Sequence, residues 1–150
     1  MLDYRTRHFS DLNCYELYAL LLLRQKVFIV EQNCPYLDCD DKDQNAFHIL
    51  GYNNAGQMLA SCRLLDAGVS YPHYVSIGRV VTDPSIRQTG EGRHLMTFAL
   101  TEMERLFPGK PIKISSQSYI AHFYESFGFY KTGEPYLEDD IPHIAMIFNK

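Results

Sequence analysis

The sequence predicts a single α/β domain in which a mixed sheet is flanked by helices. Its 150 residues match the size of one ordinary domain, and 46% hydrophobic against 21% charged side chains is typical of a globular protein. Apolar residues alternate in some segments and recur at helical spacing in others. These segments follow one another as an antiparallel meander and then a strand–helix–strand–helix–strand unit, which predicts the mixed sheet.

The first predicted elements are a helix and a loop. Apolar side chains recur at helical spacing over residues 13–28. Asn13 can cap the first backbone N–H groups and Glu16 can reach back to it, so the start of this helix is well marked. Residues 31–45 are polar and acidic, contain a proline and have no apolar period, so we expect a loop there.

Three strands are expected next. Residues 46–52 and 57–65 predict a hairpin, because the residues between them tolerate the positive φ angles of a tight turn. The β-rich run 74–82 ends at Asp83 and Pro84 and is expected to be a central strand.

The C-terminal half predicts two further helices and three strands. An amphipathic helix should begin near Gly90 and end at the Pro-Gly pair 108–109. A short strand over 112–116 should lead into a short helix over 119–127, which Gly128 stops. The remaining residues predict two strands around a long turn.

The charge balance argues against nucleic acid and membrane partners. Lys and Arg number 14 against 18 Asp and Glu, and the net charge of −4 offers no positive field for a polyanion or an anionic membrane. The first residues lack the apolar core of a signal peptide, so we expect a cytoplasmic protein. The four cysteines show no Cys-x-x-Cys pair and no common zinc-ligand spacing, so no metal cofactor is expected.

The most informative motif is a strand that runs into a glycine-containing turn before the long helix. In Arg87-x-x-Gly90-x-Gly92, the glycines let the backbone approach an anion, and the helix points its unpaired N–H groups at it. The spacing is not that of the dinucleotide motif Gly-x-Gly-x-x-Gly, and no Lys followed by Ser or Thr completes a nucleoside-triphosphate loop. The turn therefore predicts a phosphate site of another kind.

This turn, together with Phe123-Tyr124-x-x-x-Gly128-Phe129 downstream, resembles the GNAT superfamily of acetyl-CoA-dependent N-acetyltransferases. Two residues depart from the pattern of its small ElaA-like branch. Ser116 stands in place of Ala, and Asp140 stands in place of a Gly and is expected to reshape a turn. The similarity to that branch covers nearly the whole chain through these segments: Leu23-Arg24, Val27-Phe28, Val30-Glu31-Gln32, Cys34-Pro35-Tyr36, His48, Arg63, Gly78-Arg79-Val80, Gln117 and Glu138-Asp139-x-Ile141-Pro142-His143.

The resemblance implies the acyl-CoA N-acyltransferase fold, with a mixed, mostly antiparallel central sheet and acetyl-CoA as cosubstrate. It implies direct acetyl transfer to a primary amine of a small molecule or peptide. In this superfamily the strand before the phosphate turn splays from its neighbour, which places the pantetheine contacts on Val80, Val81 and Thr82. The Glu91 carboxylate should point outward, because phosphate would repel it. The implied pyrophosphate contacts are Arg87, Gln88, Thr89, Gly90, Glu91, Gly92 and Arg93.

Tyr124 matches the tyrosine of the family motif and is the candidate general acid. Its hydroxyl could donate a proton to the departing sulfur of coenzyme A and so also contact the cosubstrate. Without the motif, a Tyr beside Phe123 and Phe127 on an amphipathic helix would indicate packing alone. The motif favours a role in the site.

The general base is less well defined, because the chain offers many acids. Glu138, Asp139 and His143 lie in the matched Glu-Asp-x-Ile-Pro-His segment and are candidates for a base or for orienting the amine. Glu31 is the next candidate, although it could instead anchor the end of the first helix. The acidic residues 38–43 are expected to form an exposed loop.

One histidine and three arginines have both structural and functional interpretations. His48 lies between apolar residues of a strand and is expected to be a hydrogen-bonded structural histidine. Arg24, Arg63 and Arg79 could bind substrate or phosphate, but Arg63 and Arg79 could equally be structural ion-pair partners.

An interpretation from another class stays open at this point. A non-catalytic acyl-CoA-binding sensor that contacts a protein partner would need the phosphate turn but neither Tyr124 nor a base. Turnover of acetyl-CoA with an amine distinguishes the two. The sequence leaves open the acceptor, the base and the oligomeric state, including whether the chain forms a homodimer.

Overall fold

The computed structural model describes residues 1–149 and contains seven strands and three α-helices within them. A π-helical segment, Gln25–Glu31, continues the first helix. In chain order the strands and helices are β1 (Asp3–His8), α1 (Cys14–Arg24), β2 (Phe47–Tyr52), β3 (Met58–Leu65), β4 (Ser76–Thr82), α2 (Glu91–Leu106), β5 (Ile112–Gln117), α3 (Ala121–Glu125), β6 (Tyr130–Glu138) and β7 (Ile141–Phe148).

The strands form two antiparallel sheets. One sheet has the order β1-β2-β3-β4 and the other has the order β5-β7-β6. A parallel bridge between Val75 and Ile112 joins them, so the predicted mixed sheet flanked by helices is confirmed. No helix within residues 1–149 is both long enough and apolar enough to cross a bilayer.

The start of α1 follows the predicted capping pair. Glu16 N donates to the Asn13 side chain at 2.8 Å, and Asn13 N donates to the Glu16 carboxylate at 2.9 Å. The helix was expected to run to residue 28, but α-helical bonding ends at Arg24 and wider π-helical turns continue to Glu31. Such segments are rare and often lie at functional sites, and this one lines the cleft described below.

The core lies on both faces of β2. Ile49 packs with Leu95 and Met103 of α2, whereas the next residue, Leu50, packs with Leu20 of α1. Successive strand residues point to opposite faces, so these contacts place α1 and α2 on opposite sides of the sheet. The predicted hairpin and long helix are thus the frame that positions the site.

β1 is an edge strand that the sequence analysis does not predict. It pairs with β2 from Asp3 opposite Tyr52 to His8 opposite Phe47. The residues of β1 are mostly polar, so the strand lacks the alternation of apolar and polar residues by which strands are predicted. Tyr4 holds the strand to α2, where its ring stacks on Phe98 with centroids 5.5 Å apart.

The turn between β6 and β7 is short, which corrects the predicted long turn. Two residues connect the strands, Asp139 with φ 50° and Asp140 with φ 62°. Two-residue hairpin turns of this kind need positive φ at both positions, and Asp tolerates that conformation better than most residues. Asp140 therefore adopts a conformation that Gly would adopt freely, and it adds a charge to the turn.

Candidate active site

The two sheets separate beyond their bridge and leave a cleft between β4 and β5. Val75 N donates to Pro111 O at 3.1 Å, and Lys113 N donates to Val75 O at 2.9 Å. Within the described residues, no backbone pairing joins β4 to β5 after this point. The cleft has a volume of about 540 Å³ and is lined by β4, the π-helical segment and the β6–β7 turn. The splayed strand that the resemblance implies is present.

β4 carries a bulge where it lines the cleft. Ser61 pairs with Val81, but Arg63 pairs with Gly78, so one residue of β3 faces two residues of β4. Arg79 lies in this bulge with φ 48°, a left-handed conformation that non-glycine residues seldom adopt. The bulge interrupts the hydrogen bonds between β3 and β4 and changes the direction of the β4 backbone beside the cleft.

The predicted phosphate turn opens α2 with free backbone N–H groups. Gly90 is the N-cap residue with φ 88°, and no side chain caps the helix. His94 N makes a helical hydrogen bond to Gly90 O at 3.2 Å, which leaves the amides of residues 91–93 without partners in the helix. A Cβ at Gly90 would meet no atom within 4 Å, so the space in front of the turn is open.

The other predicted cosubstrate contacts are on β4 and in the turn. Val80, Val81 and Thr82 line the cleft. Gln88 and Thr89 are exposed, Gln88 has φ 63°, and the Thr89 hydroxyl donates to a backbone carbonyl of the same turn. Both residues therefore lie at the surface just before α2.

Arg87 and Glu31 form an ion pair at the cleft. Arg87 Nη2 donates to Glu31 Oε1 at 2.6 Å and to the Thr82 carbonyl at 3.2 Å, while Nη1 contacts the second carboxylate oxygen. Hydrogen bonds from Arg87 lower the pKa of Glu31, which makes this carboxylate a weaker base.

The side chains of Glu91 and Arg93 are engaged in other contacts. The expectation that the Glu91 carboxylate points outward is wrong, because it is buried and accepts from the Tyr4 hydroxyl at 2.7 Å. The N-terminal ammonium lies 3.5 Å from it, so a nearby charge and β1 draw it inward. Arg93 donates to Ser126 at 2.8 Å and lies 4.5 Å from the centre of the Phe127 ring. Both residues can offer backbone N–H groups to an anion.

Tyr124 lies in the wall of the cleft and is 8% exposed. The rings of Phe123 and Phe129 contact it edge-on, with centroids 5.2 Å and 6.0 Å away. Its hydroxyl has no hydrogen-bond partner among residues 1–149. Burial raises the pKa of this hydroxyl, so the proton stays on the oxygen and is available to a ligand.

His143 and Glu138 form a pair on the β6–β7 hairpin. His143 is buried, and its Nδ1 lies 2.7 Å from the Ile141 carbonyl. A carbonyl only accepts, so this contact assigns the proton of the neutral ring to Nδ1 and leaves a lone pair on Nε2. Nε2 lies 3.4 Å from a carboxylate oxygen of Glu138. Asp139 lines the same end of the cleft.

The expectation that the acidic residues 38–43 form an exposed loop is wrong for Asp38 and Asp43, although Asp41 is exposed. Asp38 and Asp43 are 8% and 7% exposed, because the guanidinium of Arg24 lies between them. Arg24 is 1% exposed and donates to Asp38 at 2.6 Å and to Asp43 at 2.8 Å. A helix arginine that neutralises two carboxylates allows this loop to fold against the sheet.

Arg63 and Arg79 complete this network as ion-pair partners, one of the two roles that the sequence allows. Arg63 donates to Asp40 at 2.7 Å and to Asp43 at 3.1 Å. Arg79 Nε lies 2.8 Å from an Asp38 oxygen. Burial opposes ionisation of Asp40, but Arg63 overcomes it and lowers the pKa of Asp40 to about 2.

His48 is structural, as expected. It is buried, and its Nε2 lies 3.0 Å from the Asp43 carbonyl. Burial lowers the pKa of His48, so the ring stays neutral. Within residues 1–149, no three or more His, Cys, Asp and Glu side chains are grouped so that they could hold a metal ion.

Two contacts beside the cleft involve residues that the sequence analysis did not assign to the site. Tyr36 donates to the Asp140 carboxylate, and Gln117 donates to Gln32 at 3.4 Å. Both join the segment after α1 to the C-terminal sheet, and nothing in a single sequence pairs positions so far apart. Ser116 is buried and donates to the carbonyl of its neighbour at 2.9 Å, so its hydroxyl is satisfied within the strand.

Comparison with known proteins agrees with this architecture. A family model described as an acetyltransferase (GNAT) domain matches residues 29–150. Protein ElaA of Escherichia coli is 40% identical over 148 residues, which cover 97% of this chain and 95% of ElaA.

Two crystal structures match nearly the whole chain. An acyl-CoA N-acyltransferase from Pseudomonas aeruginosa is 44% identical, with a TM-score of 0.93 and 99% of both chains covered. The structure of E. coli ElaA is 39% identical, with a TM-score of 0.91, and the match covers 99% of this chain and 100% of ElaA. The acyl-CoA N-acyltransferase fold is therefore confirmed, and the chain belongs to the GNAT acetyltransferase family, among relatives of ElaA.

Proposed function

We propose that this protein is an N-acetyltransferase that moves the acetyl group of acetyl-CoA directly to a primary amine of a small molecule or peptide. The observation that carries the proposal is the cleft between β4 and β5, because it runs from Arg87, in the turn that leads into α2, past Tyr124 to His143. Membership of the family supports acyl transfer. The choice of acetyl-CoA and an amine is the part that needs testing.

The phosphate turn and β4 would hold the cosubstrate. The amides of residues 91–93 and the Arg87 guanidinium offer donors to pyrophosphate oxygens at the positive end of α2. The edge of β4 that has left β5 offers backbone groups, over residues 80–82, to the amides of the pantetheine arm. Such pairing resembles the addition of one more strand to a sheet edge.

Two side chains would move the protons of the reaction. As the amine nitrogen bonds to the acetyl carbon, His143 Nε2 takes a proton from nitrogen, and Glu138 stabilises the imidazolium. As the carbon–sulfur bond breaks, the Tyr124 hydroxyl gives its proton to sulfur. Exchange with solvent restores both residues. Glu31 is the weaker candidate for the base in this scheme, because hydrogen bonds from Arg87 lower the pKa of its carboxylate.

The test combines two measurements on the wild-type protein. Acetyl-CoA is incubated with a panel of primary amines, free thiol is recorded, and the amines are analysed by mass spectrometry for the gain of one acetyl group. We expect equal amounts of thiol and acetylated amine. Tight binding of CoA without thiol release from any amine would instead favour the acyl-CoA sensor.

A further inference from the structure

We propose that Asp38 is a positioning residue for acetyl transfer: through its ion pair with Arg79 it holds the bulge of β4 in the conformation that faces the thioester. The inference rests on the proposed function, and it concerns residues outside the phosphate turn and the acid–base pair. Three observations carry it: the backbone at Arg79, the contacts of its guanidinium, and the place of the bulge in the cleft.

Arg79 has an unusual backbone for its residue type and location. Six non-glycine residues among 1–149 have positive φ, and the other five are Asn, Asp or Gln in turns and loops. Arg79 is the member of this set that lies within a strand. An arginine side chain gives no local support to a left-handed backbone, so the surrounding contacts must hold it.

Those contacts come mainly from Asp38. Arg79 Nε lies 2.8 Å from Asp38 Oδ1, and Arg79 Nη2 donates to the Asp38 carbonyl at 2.7 Å. A weaker contact of 3.3 Å links Arg79 Nη2 to Asp40. The second Asp38 oxygen accepts from the buried Arg24 at 2.6 Å. Asp38 thus connects α1 to the bulge and is itself fixed on both sides.

The bulge matters for the reaction because it forms the wall of the cleft at Gly78, Arg79 and Val80. If the left-handed residue relaxed, the β4 backbone would shift relative to Tyr124 and His143, which lie on other elements. A displacement of about 1 Å between reacting groups can cost roughly 100-fold in rate. Asp38 would therefore affect kcat without touching substrate.

Asp43 provides the matched control. It is as buried as Asp38 and also pairs with Arg24, but its second partner is Arg63 and not Arg79. Asp38→Asn and Asp43→Asn should both lower the thermal midpoint. We expect Asp38→Asn to reduce kcat by roughly 10- to 100-fold and Asp43→Asn to change it by less than about threefold, assayed well below both midpoints.

A glycine substitution separates positioning from general stability. Gly adopts positive φ without the penalty of a Cβ, so in the Arg79→Gly background the bulge no longer needs its ion pair. Asp38→Asn should then change kcat by less than about threefold, a non-additive result in a double-mutant cycle. If Asp38→Asn does not fold, Arg79→Ala replaces it and should have a kcat at least about tenfold below that of Arg79→Gly.

The outcomes are distinguishable. Three results would each overturn the role of Asp38. The first is an Asp38→Asn variant whose kcat equals that of Asp43→Asn. The second is a loss of kcat on Asp38→Asn that is as large in the Arg79→Gly background as in the wild type, and the third is an equal kcat for Arg79→Ala and Arg79→Gly. Wild-type turnover is measured first. Its absence on every amine would contradict the proposed function and this inference together, whereas wild-type turnover with unresponsive variants would contradict the inference alone.

Discussion

Tyr124 and His143 are both buried, but their hydrogen bonding differs, which supports the opposite proton transfers proposed for them. The Tyr124 hydroxyl lacks a partner among the described residues, whereas His143 Nδ1 is held by a backbone carbonyl and leaves Nε2 as an acceptor. A motif in the sequence identified Tyr124 as a candidate. It could not choose a base among Glu31, Glu138, Asp139 and His143, because that choice depends on which side chains are already paired.

Removal of the Tyr124 hydroxyl should reduce the rate and leave the fold intact. Tyr124→Phe keeps the ring that packs on Phe123 and Phe129. Since a thiolate is already a fairly stable leaving group, we expect kcat to fall by roughly 10- to 1,000-fold while the affinity for CoA and the thermal midpoint change little. Wild-type kcat in a folded variant would return Tyr124 to a packing role.

Substitutions of the candidate bases should distinguish His143 from Glu31. His143→Gln removes the acceptor nitrogen, so kcat/KM should fall by roughly 100-fold or more and lose most of its rise with pH. Glu31→Gln releases Arg87, so kcat should change by less than about threefold. The reverse pattern, with a large loss in Glu31→Gln and none in His143→Gln, would make Glu31 the base.

Among the helices and strands, those with local sequence signals could be predicted, whereas those that depend on tertiary contacts could not. The capping pair of α1, the β2–β3 hairpin and the Gly90 start of α2 follow from local chemistry. β1 is stabilised by α2, which lies far away in the chain, and its own residues carry little apolar pattern. The wider turns after α1 and the burial of Asp38 also depend on tertiary contacts.

The first turn of α2 offers a direct test of the phosphate site. Gly92 has room for a side chain, since a Cβ there would lie 3.8 Å from Phe123, an ordinary contact. Gly92→Glu should weaken CoA binding by roughly 10-fold or more, because a carboxylate would then stand at the proposed pyrophosphate site. Calorimetry measures the dissociation constant.

Gly92→Ala is the matched control for this substitution. It adds a Cβ without charge, and it should raise the free energy of unfolding by up to about 1 kcal/mol because Ala favours a helix over Gly. CoA affinity should be nearly unchanged. Equal affinities of folded Gly92→Glu and wild-type protein would remove the phosphate site from α2.

Across the whole molecule, an ion-pair network of six charged side chains joins α1, β3, β4 and the acidic loop. From this network we predict how the stability of the fold depends on pH. The pKa of Asp40 in the folded protein is about 2, below its ordinary value of 3.8, so folding favours the ionised form. The stability that Asp40 adds is present above about pH 4 and is lost as the pH falls toward 2.

Asp40→Asn tests this dependence. The wild-type protein should have the higher thermal midpoint at pH 6, and the difference between the two proteins should shrink between about pH 4 and pH 2, where Asp40 gains its proton. Asp66→Asn, which removes an exposed partner of Lys110, should show a smaller difference at every pH. A difference for Asp40→Asn that stays constant down to pH 2 would contradict the assignment.

In the proposed reaction, the cleft between β4 and β5 holds acetyl-CoA with its acetyl group between Tyr124 and His143. The most direct measurement is a crystal structure of the acetyl-CoA complex. We expect pyrophosphate oxygens on the amides of residues 91–93, the pantetheine arm along β4 and the sulfur within hydrogen-bonding distance of the Tyr124 hydroxyl. Acetyl-CoA bound outside this cleft, or a thioester remote from both side chains, would contradict it.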